Sequence, residues 1–274
     1  MTGTNPMSTS VPWTMVAEGY EIETKPLFEQ FCREALRLSD FASGGKVLDV
    51  ACGPGTLSLL IHQQAEQIDA IDFSQGMLDC FARQIRQQGI TNIRAQLMDG
   101  QALGFPDNAF DRAYSIFGLM FFPDRIKGFR ELYRTLKPGG KAAVTSWAPV
   151  SDSPLMQLLF GAMGAAFPKK PETNSNAVLT LEDPDNFKQE MERAGFSNVS
   201  VTHFDGGWTI TDVETFFDAM VRGSAPIVML KEQLGEAVWQ EKRAVMLAYL
   251  REQITELPVT PYSRAYIGVG EKAG

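Results

Sequence analysis

Lys46-Val-Leu-Asp-Val-Ala-Cys-Gly-Pro-Gly-Thr-Leu-Ser58 says more about the fold than any other stretch of this 274-residue chain. Its apolar start, ending at Asp49 and Val50, has the length and flanks of a buried strand. Gly53-Pro54-Gly55 then turns the chain, and a helical pattern opens near Thr56. A glycine-rich turn between strand and helix lets a ligand come close to the backbone, because no Cβ stands in the way. Asp49 selects the charge of that ligand. A carboxylate one turn away repels a pyrophosphate and attracts a molecule bearing an ammonium and a sulfonium. A dinucleotide fingerprint would also ask for a third glycine, and Ser58 holds that position.

Working outward, strands and helices alternate. Strands are expected at Lys46–Val50, Gln67–Asp72, Asn92–Met98, Phe110–Ile116 and Lys141–Trp147, with helices at Thr56–Gln64, Gly76–Gln88 and Pro123–Leu136 between them. That rhythm implies βαβ units and a mostly parallel sheet covered on both faces. Before it, Trp13 to Leu38 reads as helical, behind a flexible tail of residues 1–12. After it come a Met- and Phe-rich helix from Pro149, the Pro168-Lys-Lys-Pro171 stretch with a polar loop, and a helix at Pro184–Ala194. Asp183 is its expected N-cap and Gly195 its end. Asn198–Phe204 and Arg264–Val269 alternate like a sixth and a seventh strand, separated by helices at Val213–Val221 and Lys231–Leu250. The reading is one Rossmann-like α/β domain over residues 13–274. Its core takes in about 40–148, 182–205 and 262–272, and a mainly helical substrate cap takes in 13–38, 149–181 and 206–261.

Composition narrows the function. With 44% hydrophobic and 21% charged residues the chain can bury a sizeable core. A net charge of −8, with basic runs no longer than pairs, argues against a nucleic-acid substrate. No stretch approaches the roughly 18 apolar residues of a membrane span, and the Thr- and Ser-rich start has no secretory pattern. Three cysteines, Cys32, Cys52 and Cys80, without metal-ligand spacing suit a reducing cytoplasm and no metal site. A small-molecule partner is expected, with the chain a monomer or homodimer.

The Asp49 to Gly55 block resembles motif I of the class I S-adenosylmethionine-dependent methyltransferases, in which an acid precedes a Gly-x-Gly turn. Phe110 to Gly118 resembles motif IV, and Leu136-Lys-Pro-Gly-Gly140 the family's turn before the fifth strand. The pattern is most similar to the small-molecule branch (methyltransferase type 11), which includes ubiquinone and menaquinone biosynthesis enzymes. The resemblance implies a seven-stranded sheet of order 3-2-1-4-5-7-6, S-adenosyl-L-methionine as cofactor, and an enzyme of the EC 2.1.1 type. It also implies cofactor contacts from Asp49, Ala51, Cys52, Gly53 and Gly55, and from Asp99, Gly100 and Gln101 at the adenine end. Tyr20 would close over the methionine carboxylate, and Ile116 and Phe117 would lie beside the methyl group.

Asp72, ending the second strand, is placed to take both ribose hydroxyls, with Phe73 and Met77 packing on adenine. Capping of the next helix is its other possible role, for which Ser74 is better suited. The fourth strand ends in Ile116-Phe-Gly-Leu-Met-Phe-Phe122, with no amide to hold a nucleobase amine. That argues against base methylation. It leaves Trp13, Tyr20, Phe117, Met120, Phe121, Trp147 and Trp208 to shape a largely apolar acceptor pocket. Methyl transfer to O, C or N would then proceed mainly by proximity in a dry pocket. His203 is the weak candidate for a general base. Two alternatives stand beside this reading: an NAD(P)-dependent oxidoreductase, which Asp49 and Ser58 oppose, and a non-catalytic cofactor-binding scaffold.

Overall fold

The computed structural model describes residues 5–168 and 180–274. The Lys169-Lys170-Pro171 stretch and most of the polar loop after it, assigned by sequence to the cap, lie outside the described residues.

Seven strands form one sheet: β1 (Lys46–Val50), β2 (Gln67–Asp72), β3 (Ile93–Leu97), β4 (Phe110–Ile116), β5 (Leu136–Trp147), β6 (Ser197–Gly207) and β7 (Tyr262–Glu271). Their order is β3-β2-β1-β4-β5-β7-β6, as expected. The first five run parallel, and β7 is antiparallel to both of its neighbours. The strand order therefore reverses between β1 and β4, β2 and β3 lying on one side and β4 and β5 on the other, which opens a crevice at the carboxyl ends of the strands.

Helices cover both faces. They are α1 (Ser10–Glu23), α2 (Lys25–Leu38), α3 (Thr56–Ile61), α4 (Gln75–Gln88), α5 (Arg125–Thr135), α6 (Pro154–Ala166), α7 (Pro184–Ala194), α8 (Val213–Gly223), α9 (Ala225–Leu234) and α10 (Glu236–Gln253). On one face, Leu48, Val50, Ile71 and Val144 pack with Phe129 and Leu132 of α5 and Phe187 of α7. On the other, Val47, Ile68 and Ala70 pack with Cys32 of α2, Leu57 and Ile61 of α3 and Phe81 of α4. Strand alternation puts Asp49 on this second face, under α2 and α3. The helices after β6 return to the front of the molecule: α8 and α9 pack on α1, and α10 packs on α6.

Local chemistry sets the helix ends. Asp183 accepts the N–H groups of Asp185 and Asn186, and Gly195 leaves α7 at φ 115°, the expected cap pair. Ser74 caps α4, its hydroxyl accepting Met77 N–H. Each such cap contributes on the order of 1 kcal/mol.

Three expectations need correction. The chain is already helical at Pro6–Ser8 and from Ser10, so a tail reaching residue 12 is too long. The helix expected over Trp13–Leu38 is two helices broken at Thr24, because Pro26 lacks an N–H and its ring clashes with the carbonyl four residues back. Likewise Lys231–Leu250 is divided at Gly235, whose φ of 72° no helix contains.

Candidate active site

The crevice holds a cleft that, with the solvent at its mouth included, occupies about 840 Å³. Its floor is made by residues at four strand ends: Ala51 and Gly53 after β1, Ile71 to Phe73 at β2, Met98 to Gln101 after β3, and Ile116 to Gly118 at β4. Ser8, Trp13 and Tyr20 from the N-terminal segment face them, and Phe121, Phe122 and Pro123 close one side.

Asp72 is the best-defined polar group there. It is buried, with its Oδ2 accepting Gly53 N–H and its Oδ1 accepting Ser74 N–H, each at 2.8 Å. Burial pushes its carboxyl up to about 6, against the pull of those N–H groups. Each oxygen keeps lone-pair capacity for one more donor. Next along the edge, Asp99 Oδ1 accepts the backbone N–H of Gln101 at 2.8 Å and its side-chain amide at 3.2 Å. Gln101 Oε1 in turn accepts Asp124 N–H at the start of α5. The turn after β3 is thereby tied to the next helix.

The glycines here differ in what they do. A Cβ on Gly53 would meet nothing closer than Met77 Sδ at 4.0 Å, so the space above that residue, at φ 55°, is open for a ligand. A Cβ on Gly55 would sit 2.1 Å from the Phe81 ring, which makes Gly55 a packing requirement. On Gly100 a Cβ would strike Phe122 at 2.5 Å.

Two non-glycine residues beside the cleft adopt left-handed backbone, Ala51 at φ 56° and Phe117 at φ 58°. Each such residue costs roughly 1–2 kcal/mol. The turn after β4 is held in place by side chains: Phe117 N–H donates to Thr145 Oγ1 at 2.8 Å and Leu119 N–H to Ser115 Oγ at 3.1 Å. The Phe117 ring stacks on Trp147 at 3.9 Å and meets Phe28 and Phe31 edge-on. Above, α1 and the turn before it are fastened across the cleft. Ser8 Oγ donates to Phe121 O at 2.7 Å, Thr14 and Ser74 share a hydroxyl bond at 2.9 Å, and Glu21 pairs with Arg83 at 2.7 Å. Trp13 packs on Phe121, and Tyr20 stacks on Phe28. Burial and the nearby Asp72 carboxylate push the Tyr20 hydroxyl far above its ordinary range, so it remains a proton donor at neutral pH.

Sequence relationships agree with this geometry. A family model described as "Methyltransferase domain" matches residues 47–140. Demethylmenaquinone methyltransferase of Staphylococcus saprophyticus is 30% identical over 189 residues, covering 64% of this chain and 80% of that relative. This chain belongs to the class I S-adenosylmethionine-dependent methyltransferases. Methyltransferase tpcH of Aspergillus fumigatus is 27% identical over 165 residues, spanning 57% of this chain but 58% of the fungal protein's length. Among solved structures, YcgJ from Bacillus subtilis shares the fold with a TM-score of 0.60 at 15% identity, covering 89% of this chain and 99% of YcgJ. The methyl donor of this methyltransferase is S-adenosylmethionine, and its sequence relatives give no support to an oxidoreductase.

Of the residues expected from sequence, the methyltransferase brings Trp13, Tyr20, Ala51, Gly53, Asp72, Phe73, Met77, Asp99, Gly100, Gln101, Ile116, Phe117 and Phe121 together around the cleft. Others do not line it. Asp49 lies beneath the floor, buried, where Ser58 Oγ donates to its Oδ2 at 2.6 Å. Cys52 is buried with its thiol against Gly53 O. Met120 is buried beside Ser146, Trp147 backs Phe117, and Trp208 packs on Phe216. His203 is exposed on β6, the edge strand four positions from β1, which removes it as a base for this site.

Ser8, Ile71, Met98, Gly118, Phe122 and Pro123 also line the cleft without having been expected there. Met98 and Gly118 each adjoin an expected residue, so strand-end position was a usable signal. Ser8 carried none, since only folding brings it to Phe121.

Proposed function

We propose that this methyltransferase acts on a small, largely apolar acceptor, at O, C or N, chiefly by holding it in line with the methyl group in a dry cleft. One observation carries the reading. Among the described residues, and apart from Tyr20, the only ionisable side chains lining the cleft are Asp72 and Asp99, with no Lys, Arg or His beside them. A phosphorylated or carboxylate acceptor would find no cation there. An apolar ring would find Trp13, Phe121, Phe122 and Met98. The relative named for demethylmenaquinone supports an acceptor of that character.

The cleft fits the methyl donor. Asp72 takes the ribose hydroxyls with its spare lone pairs, Asp99 and Gln101 meet the adenine amine, and Phe73 and Met77 flank the ring. Gly53 gives the methionine end access to the backbone, and Tyr20 donates to its carboxylate. Bound S-adenosylmethionine supplies a methyl group on a sulfonium whose charge disappears on transfer. The chain's part is positional. Ala51, Ile116 and Phe117 pack beside the reacting carbon, and α1 excludes water from above. Near-attack positioning of this kind accounts for a large share of a barrier. Exclusion of water favours a transition state in which charge is neutralised. Proton abstraction has no part in this reading: the Tyr20 hydroxyl holds its proton, and the Asp72 and Asp99 carboxylates are engaged by backbone N–H groups. Three buried free cysteines support a reducing, cytoplasmic setting, and among the described residues no helix is long and apolar enough to cross a membrane.

Asp72→Ala tests the placement: S-adenosylmethionine affinity measured by calorimetry should fall about tenfold or more, the scale of lost hydrogen bonds to a charged group. An unchanged isotherm in a folded variant would sink the ribose assignment. For the acceptor, a panel pairing neutral aromatic compounds with their phosphorylated or carboxylated analogues should show turnover of the neutral members. Preference for the anionic ones would overturn the apolar reading.

A further inference from the structure

Ser58 stands where a dinucleotide fingerprint would carry its third glycine, and it has a specific partner. Its side chain is fully buried on α3, and its hydroxyl donates to Asp49 Oδ2 at 2.6 Å. Asp49 lies one strand alternation below Ala51, which lines the cleft. The groups facing it come from every element around it: Cys32 on α2, Asp72 on β2, Tyr114 on β4, Cys52 in the glycine turn, and Ser58 itself. None of these is a cation. A buried carboxylate without a cationic partner is costly.

We infer that Ser58 is a positioning residue whose hydroxyl keeps the Asp49 carboxylate charged and aimed at the cleft floor, so that the site favours the cationic methyl donor over its demethylated product, which lacks the sulfonium charge. The inference rests on the cofactor placement proposed above. Physical support comes from the balance at Asp49. Burial and the Asp72 carboxylate push its carboxyl up to about 7, while the hydroxyl and backbone N–H of Ser58 hold it down. The acid is therefore poised between forms at neutral pH, and a sulfonium arriving above it draws it into the charged one. Once the methyl group has left, that attraction is gone, Asp49 can take up a proton, and the grip on the cofactor loosens. Sequence position supports a dedicated role as well. A glycine at residue 58 would leave Asp49 Oδ2 without this donor, whereas a serine fits the close approach of α3 to β1 and supplies it.

The test measures binding of S-adenosylmethionine and S-adenosylhomocysteine to the full chain between pH 5.5 and pH 9, wild type against Ser58→Ala and Ser58→Thr. In the wild type, affinity for the methyl donor should rise with pH around neutrality, more steeply than affinity for the product. In Ser58→Ala the midpoint should move up by about one pH unit, with about fivefold weaker donor binding at pH 7 that recovers at high pH. The loss for the product should be smaller. Ser58→Thr keeps the hydroxyl and should follow the wild-type profile. An unshifted profile in Ser58→Ala, or an equal loss for both ligands at every pH, would overturn the inference. If Ser58→Ala does not fold, wild-type titrations in two buffers of different ionisation enthalpy decide. Proton release on binding the donor but not the product is expected, and equal release rejects it. A wild type that binds neither ligand would reject the cofactor placement itself.

Discussion

The two ends of the cleft are built on different principles. At the β2–β3 end, Asp72, Asp99, Gly100 and Gln101 each sit at or just after a strand, and Asp72 and Asp99 each accept a backbone N–H from two residues further along the chain. At the β4 end, the walls come from distant segments. Ser8 meets Phe121 across 113 residues, and Phe117 N–H reaches Thr145 across 28. The first end is specified by local turn chemistry and suits a ligand common to a large family. The second exists only once α1, the β4 turn and β5 are assembled, and it is where an acceptor specific to this chain would be read.

The largest effect that bears on this comparison concerns two glycines in one turn. Gly55→Val would drive a side chain into the Phe81 ring and add left-handed strain. Overpacking and strain together predict a loss of roughly 2–5 kcal/mol in stability, visible as a lowered urea midpoint. Gly53→Ala meets no such contact, so it should stay within about 2 kcal/mol of wild type in stability while losing cofactor affinity. Equal destabilisation by the two would mean that the turn is not divided between packing and ligand approach.

Next comes the charge beneath the floor. Asp49 has a folded carboxyl raised to about 7, above its ordinary value near 3.8. Its contribution to stability is therefore fully present below about pH 4 and is lost as the pH rises toward 7. In the ligand-free protein that loss is on the order of 3 kcal/mol, and Asp49→Asn should remove most of it. Urea unfolding of both proteins at pH 4.5 and pH 7.5 measures the difference. Parallel pH dependence in the two would show that Asp49 is not held against its own charge.

A smaller and more selective effect is expected at the other end. Phe121→Ala should raise the acceptor KM several-fold, since burial of a ring is worth about 1.5–3 kcal/mol at full coverage and only part of it faces the cleft. Binding of S-adenosylhomocysteine should change little. If cofactor affinity falls as much as acceptor affinity, the two ends are not separable.

These comparisons also explain what could be read from the chain alone. The strand-turn-helix block at Lys46–Ser58 announced a buried strand and a ligand-binding turn because its apolar run and its glycines act over a few residues. Asp72 and Asp99 were legible for the same reason, each closing a recognisable strand. Asp49 was legible as important but not as buried, since the cover that α2 and α3 place over it is tertiary. The partner role of Ser58 stayed hidden behind its position in a glycine motif. Trp147 and Trp208 looked like pocket residues because aromatic side chains suit both pockets and cores, and composition cannot tell the two apart. His203 drew attention as a scarce titratable residue, and the strand order removed it.

By itself the sequence determined the alternation of elements, the strand order through its family resemblance, and the cofactor edge, because periodicity, turn residues and strand-end acids all operate locally. Only the tertiary structure decided which aromatics face the cleft, that the N-terminal segment roofs it, and that Asp49 and Ser58 form a buried pair beneath it. Those outcomes depend on contacts between segments far apart in the chain, and burial, which sets both the chemistry of a carboxyl and the meaning of an aromatic ring, is a property of the assembled fold.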